Sequence, residues 1–355
     1  MKRRPILILV TLSLVLLLTG VVLAEDPPDF DFATPLFGLA AAPDGSLLVA
    51  DGGAGLIELR KGEGSEVISL PGVSDVAPIG RGAMFALTAG GGDPSAGMLY
   101  RVSRGDITAI ADLIAFEEAE NPDGGLIDSN PYDVAALNGG TALVADAAGN
   151  DLLNIDNQGN IDWVAIFPPE LASVDQAQAL LGCPNPDPDL PPFLAEVCFI
   201  PPGTEIPAEA VPTSVAIGPD GAYYVSELKG FPAPTGKSQV WRIEPGPLNA
   251  DCATSPACSV VYDDFTSIVD LAFGPDGTLY VVELDENSWL AVELAFFGLP
   301  AAIGGTINAC ASDGSGCTEV ANPFLPTAVA VDKKGAIYAA VNALLPGAAE
   351  VIHLP

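Results

Sequence analysis

The chain has 355 residues, 46 acidic against 13 basic side chains, a formal charge of −33 and a single histidine, His353. One imidazole close to the C-terminus excludes multi-histidine zinc or iron sites and leaves a serine or cysteine hydrolase without its usual base, while the acidic excess is repelled by nucleic-acid backbones, so no nucleic-acid partner is expected. With 49% hydrophobic and 17% charged residues, the composition suits a large folded core and not a disordered acidic chain.

Lys2, Arg3 and Arg4 precede an apolar run from Ile6 to Leu23, and Val22-Leu23-Ala24 offers a cleavage site ahead of Glu25-Asp26-Pro27. This is the pattern of a secretory signal peptide over residues 1–24, so export to a periplasm or the cell exterior is expected. The run is also long enough for an uncleaved anchor, the one way this chain would meet a membrane. Cleavage removes three basic residues and no acidic one, taking the charge from −33 to −36.

Within residues 25–355 an apolar run, a turn and a second apolar run recur. The copies are Gly38 to Asp51 around Pro43-Asp44-Gly45, Ser214 to Glu227 around Pro219-Asp220-Gly221, and Asp270 to Glu283 around Pro275-Asp276-Gly277, with weaker ones at Gly82, Gly140 and Gly335. Proline presets φ, aspartate bonds to its own backbone and glycine takes positive φ, which makes each copy a hairpin. Further strands are expected at Leu56 to Leu59, Met98 to Val102, Asp151 to Ile155, Asn160 to Ile166, Val240 to Ile243 and Glu350 to His353. Six such units predict an all-β, six-bladed β-propeller of the NHL/SMP-30-like kind, a single domain. The last unit lacks a fourth strand, and Asp29 to Thr34 is expected to supply it and close the ring.

Two insertions interrupt the repeat, at 168–212 and 284–324; the first holds eleven of the 33 prolines. They are either excursions between strands or functional lids. The cysteines fall into neighbouring pairs, Cys183 with Cys198, Cys252 with Cys258 and Cys310 with Cys317. Six cysteines permit fifteen connectivities, and nearest-neighbour staples are the reading that spacing favours in an oxidising compartment.

The run Asn121-Pro122-Asp123-Gly124-Gly125, then Asp128-Ser129-Asn130-Pro131-Tyr132-Asp133-Val134, then Val144-Ala145-Asp146 to Asn150-Asp151-Leu152-Leu153 resembles the ScyD/ScyE family, named for a scytonemin biosynthesis cluster. So do Pro212 to Pro232 and Phe265 to Gly277. The resemblance implies an exported propeller whose biochemical role is open; Ser226, where the family usually has glycine, and both insertions depart from it.

In a propeller the inner strand of each blade starts, and the second strand ends, on one face near the channel. Six residues after each turn glycine stand Asp51, Thr88, Asp146, Glu227, Glu283 and Val341. The carboxylates Asp51, Asp146, Glu227 and Glu283 could form a rim for Ca²⁺, a hard cation that takes several oxygens; the alternative is that each satisfies backbone groups in the next turn. Asp128 and Asn130, with Asn121 and Asp123, form a second oxygen-rich loop that could hold an ion, although such clusters more often make turns. Gluconolactonase-like propellers carry a divalent cation at positions matching Phe37, Ser74, Tyr132, Thr213, Val269 and Thr327, none of them a good ligand. No catalytic set is complete. The expectation is a monomeric binding or scaffolding module whose partner, a small molecule or a protein, docks at the channel face; the alternative is a calcium-dependent, lactonase-like hydrolase.

Overall fold

Each Pro-Asp-Gly turn is built as its residue types dictate. Asp44, Asp220 and Asp276 accept a hydrogen bond from the main-chain N–H two residues on, and Gly45, Gly221 and Gly277 hold φ at +92°, +82° and +88°. The computed structural model describes residues 30–355 except 62, 81, 189, 247, 248, 300, 312 and 313. The segment read as a signal sequence lies outside the described residues. Among those described, no helix is long and apolar enough to cross a membrane.

The turns organise six antiparallel blades. Blade 1 contains Leu36–Ala41, Leu47–Asp51, Gly55–Arg60 and Glu63–Ser69; blade 2 contains Val73–Pro78, Ala83–Thr88, Met98–Ser103 and Asp106–Asp112. Blade 3 contains Pro131–Ala136, Ala142–Asp146, Asp151–Ile155 and Ile161–Ile166; blade 4 contains Pro212–Ile217, Tyr223–Glu227, Ser238–Ile243 and Cys258–Phe265. Blade 5 contains Ile268–Phe273, Leu279–Glu283, Thr306–Cys310 and Cys317–Ala321, and blade 6 has three strands, Ala328–Val331, Ile337–Val341 and Glu350–Leu354.

Second strands such as Leu47–Asp51 are buried at every position, because a blade is covered on both faces. Leu47 and Val49 pack toward blade 6, Leu48 and Ala50 toward blade 2. Every neighbouring pair of blades encloses its own apolar cluster in this way, which is why these strands read as continuous apolar runs and not as strict alternation.

The ends of the ring meet differently from the expectation. Residues 30–35 form no strand, so they do not complete blade 6. Instead Phe30 and Phe32 pack between blade 1 and the blade 6 residues Ala349 and Val351, and Leu36 N–H donates to the Ala343 carbonyl at 2.9 Å. Burial of two aromatic rings does here what ladder hydrogen bonds were expected to do.

The three disulfides are Cys183–Cys198, Cys252–Cys258 and Cys310–Cys317. Cys183–Cys198 closes the 168–212 insertion, which is more regular than its prolines suggest: Glu170–Ser173 pairs with Glu205–Ala208, and helices span Asp175–Leu180 and Pro192–Ala195. In the second insertion only 284–305 leaves the sheet, carrying the helix Trp289–Phe296; the remainder holds blade 5's own third and fourth strands, where Cys310 and Cys317 are direct partners. Ala177, Leu181 and Leu194 of the first insertion pack on Leu290 and Leu294 of the second. The two insertions thus form one cap with a small core of its own.

Candidate functional site

One irregularity shapes the channel mouth. In blades 1 to 5 the inner strand carries a one-residue bulge at Phe37, Ser74, Tyr132, Thr213 and Val269, so that Leu36, Val73, Pro131, Pro212 and Ile268 pair with the last residue of the second strand. A bulge frees one side chain from the pleat and re-aims it. Phe37, Tyr132, Thr213 and Val269 accordingly form the floor of a cavity of about 690 Å³. Its walls come from Leu228, Leu284 and Leu344 together with Trp289, Val292 and Phe296 of the cap helix. Trp289 is fixed there: its indole N–H donates to the Lys229 carbonyl at 2.8 Å and its main-chain N–H to Ser267 Oγ at 2.9 Å. The Phe37 and Tyr132 rings touch in the floor, tilted by 54° with 5.6 Å between centroids. The cup is apolar, with Glu293 as its one carboxylate among the described lining residues.

The serine and threonine hydroxyls at this level are already committed. Ser74 Oγ donates to the Pro131 carbonyl (3.1 Å), Thr213 Oγ1 to that of Ile268 (2.7 Å) and Thr327 Oγ1 to that of Leu36 (2.5 Å). Each bond joins a blade to the next one round the ring. The floor therefore does not fit the oxygen-rich divalent-cation centre of gluconolactonase-like propellers, because it presents two aromatic rings, a valine and engaged hydroxyls.

One residue deeper, the bore of about 210 Å³ is lined by Asp75, Asp133 and Asp270. Inner strands are sheet edges whose N–H groups need acceptors, and these carboxylates supply them. Asp75 Oδ2 accepts from Val134 N–H (2.9 Å), Asp133 Oδ2 from Val215 N–H (2.6 Å) and Asp270 Oδ2 from Val329 N–H (2.6 Å), each on the following blade. In blade 4 Ser214 Oγ takes the same part, accepting from Leu271 N–H at 3.1 Å. The matching residue of blade 1 is Gly38, where a methyl group would collide with the Asp75 carboxylate. Loss of water in the bore, then the Asp133 charge, push Asp75 and Asp270 well above the ordinary carboxylate range. The same enclosure, with Asp270 and Asp133 nearby, raises the Tyr132 phenol. The sequence signal for this triad is an aspartate at one inner-strand position in three blades, one residue beyond the bulge position.

The four carboxylates at the ends of the second strands stand at equivalent places but are each taken up by separate local donors, not by a shared ion. Asp51 accepts from Ala33 and Gly53 N–H (2.7 and 3.0 Å); Asp146 accepts from Ser129 Oγ and the N–H groups of Asn130, Ala148 and Gly149. Glu227 accepts from the Trp241 indole at 2.6 Å and pairs with Lys229 Nζ at 2.7 Å, and Glu283 accepts from Thr266 N–H (2.5 Å) and Asn308 Nδ2 (2.7 Å). Asp128 is exposed, and Asn130 Oδ1 accepts from Gly90 N–H at 2.9 Å. Among the described residues no three Asp, Glu, His or Cys groups are gathered as metal ligands.

No family model matches the chain, and no curated protein matches it. Solved structures do resemble it. A gluconolactonase, XC5397 of Xanthomonas campestris, aligns over 92% of this chain and 88% of its own at 12% identity, TM-score 0.55. A calcium-binding protein, regucalcin, of Agrobacterium tumefaciens aligns over 93% of each chain at 13% identity, TM-score 0.53. A Bacteroides thetaiotaomicron protein of unknown function aligns over 93% of this chain and 72% of its own at 12% identity, TM-score 0.54. The likeness is one of fold. This chain is a six-bladed β-propeller.

Proposed function

We propose that this chain is an exported binding module of the ScyD/ScyE type that holds a flat, apolar, uncharged or cationic small molecule in the cup at the channel mouth. The observation that carries the reading is the cup: about 690 Å³, floored by Phe37, Tyr132 and Val269 and walled by the fixed Trp289. That volume suits a drug-sized ligand, the aromatic rings suit stacking against a planar one, and Glu293 with the acidic surface disfavours an anion. Export is supported by the basic and apolar N-terminus and by three formed disulfides.

Titration with the neutral dye Nile red tests the proposal. Saturable one-to-one binding is expected, weakened by roughly tenfold or more in Phe37→Asp, which places a charge on an apolar floor, while anionic anilinonaphthalene sulfonate binds less tightly. Absence of saturation, or equal affinity in the folded variant, overturns the reading. A calcium-dependent lactonase-like hydrolase is the competing reading, supported by the names of the gluconolactonase and regucalcin neighbours. Lactone or aryl-ester turnover that requires calcium and is lost in Tyr132→Phe would place it first.

A further inference from the structure

Two arginines show how the repeat holds a guanidinium. In blade 4 Arg242 stands opposite Tyr224, three residues after the turn glycine. It is clamped by two carboxylates: its Nε–H donates to the turn aspartate Asp220 at 2.8 Å, and Nη1 to Glu244, two residues on, at 2.6 Å. In blade 1 Arg60 is held by the turn aspartate Asp44 and by Glu58. Arg101 of blade 2 stands opposite Phe85, the same place in the repeat as Arg242. Here the sequence replaces both partners: Gly80-Arg81-Gly82 stands where blade 4 has Pro219-Asp220-Gly221, and Ser103 where it has Glu244. Among the described residues neither Arg101 nor the neighbouring Arg104 makes an ion pair, in a chain with 46 acidic side chains.

The Arg101 guanidinium lies over the Phe85 ring, 5.7 Å from its centroid, and reaches blade 3, where Nη2 meets the Gly140 carbonyl at a long 3.4 Å. Its Nε–H is buried and has no acceptor, a costly state that is more so for a charged group. Arg101 pairs with Thr108 and Ser103 with Asp106 across the outer hairpin of blade 2, so strand alternation puts all four side chains on one side of it. Arg104 forms the turn beyond, at φ +53°. These five residues line a cavity of about 390 Å³ on the face of the ring opposite the cup. Ser103 Oγ is only loosely engaged there, 3.5 Å from the Gly82 carbonyl. Asp106, the one carboxylate of the described lining, pairs with neither arginine.

We propose that this cavity is an oxyanion site, in which Arg101 and Arg104 with the Ser103 and Thr108 hydroxyls hold a phosphate or sulfate group. The anion takes the place of the carboxylates that Asp220 and Glu244 give Arg242. A guanidinium presents a planar fork of N–H donors. Two of them with two hydroxyls offer more donor directions than the two oxygens of a carboxylate can use, whereas a tetrahedral anion has an oxygen for each. The cavity is larger than a bare tetrahedral anion, which leaves room for an organic ester. Asp106 opposes the anion and limits its affinity. The site acts apart from the cup, so the two proposals stand or fall separately.

The test is calorimetric titration of the oxidised protein, in Tris buffer at low salt and pH 8, with inorganic phosphate, sulfate, glucose 6-phosphate and acetate. Saturable one-to-one binding of the tetrahedral anions is expected, with acetate clearly weaker; the tighter of inorganic phosphate and the ester shows whether the group is taken free or esterified. Arg104→Gln, at an exposed turn, should weaken binding by roughly tenfold or more, the scale of a lost hydrogen bond to a charged group. Ser103→Glu, which restores the carboxylate of blade 4, should abolish it, and Asp106→Asn should tighten it severalfold. All three changes lie at one hairpin tip and leave the blade cores intact, and the tightening in Asp106→Asn cannot come from misfolding. Lys237→Gln, which removes an exposed cation from blade 4, should bind as the wild type does. Absence of saturable binding, acetate bound as tightly as phosphate, or binding that survives both Arg104→Gln and Ser103→Glu overturns the proposal.

Discussion

The hydroxyl of Thr327 donates to the carbonyl of Leu36 at 2.5 Å, joining the last blade to the first across 291 positions of sequence. Thr327 is 1% exposed and Leu36 fully buried, so the bond is made out of water. Thr327→Val removes the donor at nearly constant shape and leaves the carbonyl without it; a loss of about 1–3 kcal/mol is expected, read by urea unfolding. Thr327→Ser should recover most of it. Equal stability of the valine and serine variants would show that ring closure rests on Phe30, Phe32 and the ladder alone.

Lys229 is fully buried and pairs with Glu227, itself 0% exposed. Burial pushes Glu227 up to about 7 in spite of Lys229 and the Trp241 indole. Lys229→Met should therefore cost about 3–5 kcal/mol at pH 8, where Glu227 must either stay charged without its cation or take up a proton against the pH, and clearly less at pH 5, where it protonates readily. Adding Glu227→Gln should return part of the loss at pH 8. A deficit that does not change with pH would disconnect it from the Glu227 charge.

Stability should fall between pH 5 and pH 8. Asp75 and Asp270 are raised by burial in the bore and by Asp133, and Glu227 and Glu283 are raised by burial to about 7. A carboxyl group raised on folding binds more protons in the folded than in the unfolded chain, so its contribution is complete below the unfolded value near 4 and is lost as pH rises through the folded value. Asp93, Asp156 and Asp276 act oppositely: hydrogen bonds from Ser95, Asn160 and Thr278 lower them, and their contribution disappears as pH falls below about 4. The melting temperature in EDTA should peak between about pH 4 and 5, and Glu283→Gln should flatten the decline toward pH 8. A melting temperature that climbs from pH 5 to 8 contradicts this account.

Much of the architecture was legible because it is local. Pro-Asp-Gly specifies its own turn through the φ of Gly45, Gly221 and Gly277 and the reach of the aspartate side chain, and two apolar runs beside it can only be a hairpin that needs neighbours on both faces. The repeat then implied six blades, and the cysteine spacing implied the pairs that form. What lay beyond sequence was direction. Asp51, Asp146, Glu227 and Glu283 recur at one place in the repeat, yet the groups that claim them include ones from other segments, such as the Ala33 N–H for Asp51 and the Trp241 indole for Glu227. The bulges that aim Phe37, Tyr132 and Val269 into the cup depend on register with a partner strand. The meeting of the two insertions over the mouth depends on how blades stack. Turn chemistry is written in three or four adjacent residues, whereas a site in a propeller is assembled from positions tens or hundreds apart, brought together only when the ring has closed.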